Sequence, residues 1–240
     1  MSPAAPRPRI ARALGCALAG AALAVTTPAA AQSCRLALTL ALDVSSSVDA
    51  HEYALQNEGL ARALTAPEVV AAFLSAPGAA VALHVFEWSG RSHQTARADW
   101  VFIRSQADLA AVAARMRALP RSNSALPTAI GTALSFAAQA LAERDDCAAH
   151  TIDLSGDGVN NAGPTPDTAR LAAAFDGVTV NGLVIGPGHA TLRRYYERFV
   201  IQGPGAFIEV AEDFADFEAA MRRKLVRELT MAVAGWRAGP

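Results

Sequence analysis

From Leu36 to Leu42 the chain is apolar at every position except Thr39, and the run stops on the carboxylate of Asp43. A strand with one face in water alternates apolar and polar residues. An unbroken run belongs to a strand covered on both faces, as in a parallel sheet flanked by helices. Further strands are expected at Ala79–Trp88, after the Pro77-Gly78 breaker, and at Thr151–Leu154, Val178–Ile185 and Ala206–Val210, with another ending at Trp100–Ile103. Helical periodicity fills the intervals. It covers Asp49–Leu64, a stretch after Pro67, Ser105–Leu119, a helix opened by Thr128, Pro166–Phe175 and Leu192–Phe199. A long last helix buries Phe214, Phe217, Met221, Leu225 and Leu229 and sets Glu218, Arg222, Arg223 and Glu228 opposite. Such alternation implies an α/β fold: a doubly wound, mostly parallel sheet with helices on both faces, in one domain.

The first residues do not fit that pattern. Arg7, Arg9 and Arg12 precede the uncharged run Ala13–Val25, and Ala29-Ala30-Ala31 supplies small residues, so residues 1–31 read as a signal peptide cleaved before Gln32. The run is 13 residues long, short of the roughly 20 that span a bilayer as a helix, and no membrane span is expected. Residues 32–240 then carry 18 basic and 22 acidic side chains. No basic cluster exceeds Arg222-Arg223-Lys224, so nucleic acid is set aside as a partner. At 52% hydrophobic and 18% charged, disorder is excluded. Cys34 and Cys147 are the two cysteines left after cleavage, and an even pair in a periplasmic or secreted chain suggests one disulfide.

In doubly wound sheets, ligands bind beyond the carboxyl ends of the strands, where strand order reverses. Asp43, Ser45 and Ser47 follow the first strand as Asp-x-Ser-x-Ser, Asp157 follows another in Ser155-Gly156-Asp157-Gly158, and Thr128 opens the helix between them in sequence. Two carboxylates and three hydroxyls are hard oxygen donors, suited to Mg²⁺, with Mn²⁺ or Ca²⁺ as alternatives, and poor for Zn²⁺. Each also has a plain structural reading: Ser47 and Thr128 as helix N-caps, and Asp43 and Asp157 as turn formers. Thr132, one turn beyond Thr128, is a second threonine that fits. Asp153, inside an apolar strand, needs a partner. Glu87, at a strand end, is a candidate neighbour of the metal loop. Trp88 and Trp100 read as packing, and Asn160 and Asn161 as rim or turn residues.

Leu42-Asp43-Val44-Ser45-Ser46-Ser47-Val48, Thr128 and Ser155-Gly156-Asp157-Gly158 resemble the metal-ion-dependent adhesion site of von Willebrand factor A domains. Phe86-Glu87-Trp88-Ser89-Gly90, the continuation Val159-Asn160-Asn161, Gly203-Pro204-Gly205-Ala206-Phe207 and Arg223-Lys224-Leu225-Val226-Arg227-Glu228 resemble an exported bacterial branch labelled as a domain of unknown function. The resemblance implies a Rossmann-like sheet with its first and fourth strands adjacent. It also implies a divalent cation whose open coordination position takes an Asp or Glu from a protein partner. Ser45, Ser47 and Thr128 would be hydroxyl ligands, with Asp43 and Asp157 acting directly or through water. Ser46 departs from the family's common Gly.

The competing function is a secreted metal-dependent hydrolase of α/β fold. Against it, the chain has no Gly-x-Ser-x-Gly elbow, and none of His51, His84, His93, His150 or His189 closely follows a strand end paired with a nucleophile. A phosphotransferase would want a second carboxylate where Ser45 stands, and Gly186-Pro187-Gly188 is no dinucleotide fingerprint. No enzymatic activity is expected. If Asp43 and Asp157 meet at one metal, their strands share an upper end. Counting back nine residues to Cys34 and ten to Cys147 brings the cysteines to one lower edge, within bonding reach.

Overall fold

The computed structural model describes Met1 and residues 33–122 and 125–238. The expected signal peptide lies outside the described residues. In chain order the elements are β1 (Ser33–Asp43), α1 (Ala50–Thr65), α2 (Pro67–Phe73), β2 (Ala79–Trp88), β3 (Gln94–Ile103), α3 (Gln106–Ala118), α4 (Ile130–Ala142), β4 (His150–Gly156), α5 (Pro166–Ala169), β5 (Val178–Ile185), α6 (His189–Phe199), β6 (Ile208–Ala211) and α7 (Phe217–Ala238). The sheet order is β3-β2-β1-β4-β5-β6. Only β3 runs antiparallel, as an edge strand folded back on β2. The order reverses between β1 and β4, which pair in parallel from Ala37 opposite His150 to Leu42 opposite Ser155.

The two faces of β1 explain its unbroken apolar run. Leu36, Leu38, Leu40 and Leu42 point into a core shared with Leu60 and Leu64 of α1, Val112 of α3 and Met221 and Leu225 of α7. Ala37 and Ala41 face α4 and α6, against Ile130, Leu134, Ala138 and Tyr196. Small residues on that side let α4 approach the sheet, and each buried leucine contributes roughly 1.5–3 kcal/mol. Among the described residues no helix is long and apolar enough to cross a membrane.

Three expectations need correction. Pro166–Phe175 is not one helix but the four-residue α5 followed by a 3₁₀ turn at Ala173–Phe175. The segment offers only Pro166, Ala169 and Phe175 for burial while Leu171 stands out in solvent, too little to support a helix by packing. Phe214 is buried but precedes α7. Glu228 is buried, not on the outer face. Its Oε1 lies 2.6 Å from Lys224 Nζ, which also stands 2.7 Å from Asp153 Oδ1. Asp153 therefore has the partner that its place in an apolar strand demands.

Cys34 and Cys147 form a disulfide with Cα atoms 4.4 Å apart, at the amino-terminal edge of β1 and opposite one another in parallel register.

Candidate functional site

β1 ends on Asp43, and the backbone turns at once, because Asp43 Oδ1 accepts from Ser45 N at 2.8 Å. That turn aims Ser45 and Ser47 at one point, with their Oγ atoms 3.1 Å apart. From the other side of the switch point, Thr128 Oγ1 donates to Ser45 Oγ (3.2 Å) and Ser47 Oγ donates to Asp157 Oδ1 (2.7 Å). All five residues singled out in the sequence thus meet beyond the carboxyl ends of β1 and β4. Asp43, Ser45 and Thr128 are buried, Asp157 is half-buried and Ser47 is exposed, so the cluster opens to solvent on the Ser47 side. Thr132 is elsewhere: its Oγ1 faces Gly163, where an added Cβ would meet it at 2.8 Å.

Helix capping does not account for the hydroxyls. The N-cap of α1 is Asp49, whose carboxylate accepts from His51 N and Glu52 N while Glu52 returns a bond to Asp49 N. The N-cap of α4 is Ala129, with no side-chain cap bond. Turn formation accounts for only one oxygen of Asp43. Its Oδ2 is buried without a hydrogen-bond partner among the described residues, a state that ordinarily costs a few kcal/mol. Burial, then the charge of Asp157, pushes the Asp43 carboxyl up to about 7, and burial raises Asp157 as well. Five oxygens, two from carboxylates, suit a hard divalent cation, and the set lacks the His or Cys of ordinary zinc sites. Among the described residues no group of three or more His, Cys, Asp or Glu is placed to hold a metal ion, so a cation at this cluster would depend on the hydroxyls.

Residues around the cluster hold it in shape, and several were not visible in the sequence. Arg121 Nη2 donates to the carbonyls of Val44 (3.3 Å), Ser45 (3.4 Å) and Val48 (2.5 Å), and its guanidinium lies 5.2 Å over the Tyr53 ring. Gln56 Nε2 donates to Asp43 O at 3.0 Å. Glu87 is fully buried and is bonded away from the cluster. It accepts from Tyr53 Oη (2.8 Å) and Ser122 N (3.1 Å) and lies 3.3 Å from Arg97 Nε, an ion pair without hydrogen-bond alignment. Glu87 thereby ties the segment leading to Thr128 onto β2 and α1. Asn161 Oδ1 accepts from Thr128 N (2.8 Å) and Asn160 Oδ1 from Gly131 N (3.3 Å), so both asparagines hold the start of α4. Trp88 is core and Trp100 half-buried.

The histidines are dispersed. His84 stacks in the core against Phe86 and Trp100, and burial pushes its imidazole down to about 4. His150 bonds Arg144 O near the disulfide edge, His189 lies 3.7 Å from Glu212, and His51 sits in the first turn of α1. Among the described residues only His93 meets a hydroxyl, its Nε2 standing 2.9 Å from Ser122 Oγ.

The fold is similar to that of solved von Willebrand factor A domains. Proximal thread matrix protein 1 from the mussel byssus is similar at 18% identity and a TM-score of 0.60, over 82% of this chain and 48% of that one. A further structure of the mussel protein, described as having a zinc-occupied MIDAS motif, matches at 17% identity and a TM-score of 0.56, over 82% of this chain and 48% of that one. A von Willebrand factor type A structure from Catenulispora acidiphila gives 15% and 0.54 over 82% and 43%. The pilus adhesin SpaC from Lactobacillus rhamnosus GG gives 14% and 0.59 over 81% and 30%. This chain therefore spans half or less of the length of these relatives. No match was found among curated protein sequences. Within the fold the chain belongs to the family described as "Protein of unknown function (DUF1194)", which matches residues 33–233.

Proposed function

We propose that this protein is an exported binding module in which Asp43, Ser45, Ser47, Thr128 and Asp157 hold a divalent cation, directly or through water, to capture an acidic side chain of a protein partner. The observation that carries the reading is Asp43 Oδ2, buried and unpartnered beside hydroxyls that no helix uses as caps. When bound, the cation supplies an open coordination position for a carboxylate. The all-oxygen set favours Mg²⁺, with Mn²⁺ or Ca²⁺ as alternatives, and the zinc-occupied motif of the mussel protein supports a divalent ion in this fold. The adhesin SpaC supports a role in protein binding. The disulfide supports an oxidising compartment, in line with a cleaved signal peptide over residues 1–31.

The reading is non-catalytic. A hydrolase has the His93–Ser122 contact in its favour, but no carboxylate among the described residues hydrogen-bonds His93 to orient it. Isothermal titration with Mg²⁺ tests the proposal. Wild type should take up one ion per chain and Asp43→Ala none. In metal-free buffer the variant should melt close to wild type, because relief of a buried carboxylate oxygen without a partner offsets the loss of the Oδ1 bond to Ser45 N. Equal uptake by both proteins refutes the metal site, and metal-dependent hydrolysis that vanishes in Asp157→Ala refutes the non-catalytic reading.

A further inference from the structure

Beside the hydroxyl cluster lies a cavity of about 440 Å³, and Asp157 lines it as well. Its walls are the first turn of α1 with Glu52, the loop after β4 with Asp157 and Val159, the end of β5 with Ile185 and the loop and first turn of α6 that follow it, and the loop before α7 with Asp213 and Phe214. Ile185 and Phe214 are buried and give it an apolar floor. Val159, at 46% exposure, is one of the few large apolar side chains standing out on the described surface. The charged lining is carboxylate alone. Glu52 Oε2 is occupied by Asp49 N (2.8 Å) and Asp213 Oδ1 by Asp216 N (3.0 Å), which leaves each acid one oxygen for a ligand. Nearby basic side chains contact other groups: His189 lies 3.7 Å from Glu212, Arg193 pairs with Glu197 at 2.9 Å, and Arg194 donates to Oγ1 of the lining residue Thr191 at 3.1 Å.

An apolar floor under an acidic mouth matches one kind of side chain. Lysine and arginine lay a methylene stem on apolar surface and carry the charge at its end. We propose that this cavity takes a lysine or arginine of the partner, adjacent to the acidic residue directed to the cation, so that the recognised surface carries an acid and a base side by side. The inference rests on the cation-dependent reading above, and Asp157 makes the two subsites contiguous. A partner with a second acid at that position meets Glu52 and Asp213 as like charges and is rejected.

The test uses a synthetic peptide library with one fixed Asp and three randomised positions on each side, loaded on the immobilised protein in Mg²⁺ and eluted with chelator. A Mg²⁺ titration of each protein runs alongside. Lysine or arginine should be enriched about fivefold at one flanking position, the factor that a single accessible ion pair supplies. Enrichment should vanish with Asp213→Lys and weaken with Glu52→Gln, which keeps an acceptor for the α1 cap, while both variants take up Mg²⁺ as wild type does. Chelator-released peptides without a basic preference overturn this inference and leave the cation site standing. Mg²⁺ uptake with no chelator-released peptide overturns it together with the acidic-partner reading, and absence of Mg²⁺ uptake removes the cation site itself.

Discussion

Lys224→Met should cost about 3–5 kcal/mol at pH 8 and markedly less at pH 5. Lys224 Nζ stands 2.7 Å from Asp153 Oδ1 and 2.6 Å from Glu228 Oε1, and all three side chains are buried. Asn181 Nδ2 adds a 2.8 Å bond to the same Glu228 oxygen. Removing the ammonium leaves two carboxylates facing each other in the interior. Breaking a buried ion pair on one side costs about 3–5 kcal/mol, a large share of the roughly 5–15 kcal/mol that holds a domain together. The pH dependence follows from Asp153, which burial and then the charge of Glu228 push up to about 7 despite Lys224. An unfolded Asp titrates near 4, so between about pH 4 and 7 the native state binds the extra proton. The stability this confers is complete below the unfolded value and is lost as pH rises through the folded one. Without Lys224, Asp153 is still harder to ionise, so acid, which neutralises it, should rescue the variant. Urea denaturation followed by circular dichroism at pH 5 and pH 8 measures both effects, and adding Asp153→Asn to Lys224→Met should recover much of the loss at pH 8. A loss below about 1 kcal/mol at pH 8, or one equal at both pH values, would show that Lys224 does not neutralise this buried pair.

Glu87→Ala strands the buried Arg97 and releases Tyr53 Oη and Ser122 N. It should cost about 3 kcal/mol in urea denaturation and weaken Mg²⁺ uptake about tenfold, as loss of an outer support does, whereas Glu87→Gln should cost less in both; unchanged uptake would deny Glu87 any role in placing the Thr128 segment. Replacing Cys34 and Cys147 together by Ala opens a loop with a sequence separation of 113, for which about 4–5 kcal/mol is the upper figure. Mg²⁺ titration of that variant should stay within about threefold of wild type, because distant sites act independently; a lost cation site would contradict that separation.

The sequence displayed most plainly what depends on local order. β1 was legible because a strand covered on both faces writes an unbroken apolar run, and β2 and β5 have the same bounds in sequence and structure because Pro-Gly or Gly punctuates them. Asp43, Ser45 and Ser47 stood out because they lie within five residues of one another, and Asp157 and Thr128 because each follows or opens an element at the expected end of the sheet. Arg121, Tyr53 and Gln56 left no such mark. Their bonds run to backbone carbonyls and to Glu87 across the fold, and neither periodicity nor spacing encodes those partners. Glu228 misled because a helix stripe drawn from apolar residues alone assigns every charge to water. Lys224 and Glu228, four apart on α7, instead enter the core together with Asp153.

The register between β1 and β4 connects the two ends of the site's scaffold. Parallel strands joined through a long crossover have no hairpin turn to fix their pairing, and a slip of one residue would send every side chain to the opposite face. Here Cys34 stands opposite Cys147, Ala37 opposite His150 and Leu42 opposite Ser155, a constant offset of 113. The disulfide fixes that offset covalently at the lower edge. At the upper edge the same offset places Gly156 across from Asp43 and puts Asp157 one step past the strand end, where it is free to turn toward Ser47. The glycine is required there, since a Cβ would come within 3.0 Å of Asp43 Oδ2 and 2.7 Å of the Tyr196 hydroxyl. A slip of one residue either way would bring the side chain of Ser155 or Asp157 to the place where Asp43 Oδ2 now has room, so the pairing that the cysteines lock is one that leaves this oxygen buried and available for a cation.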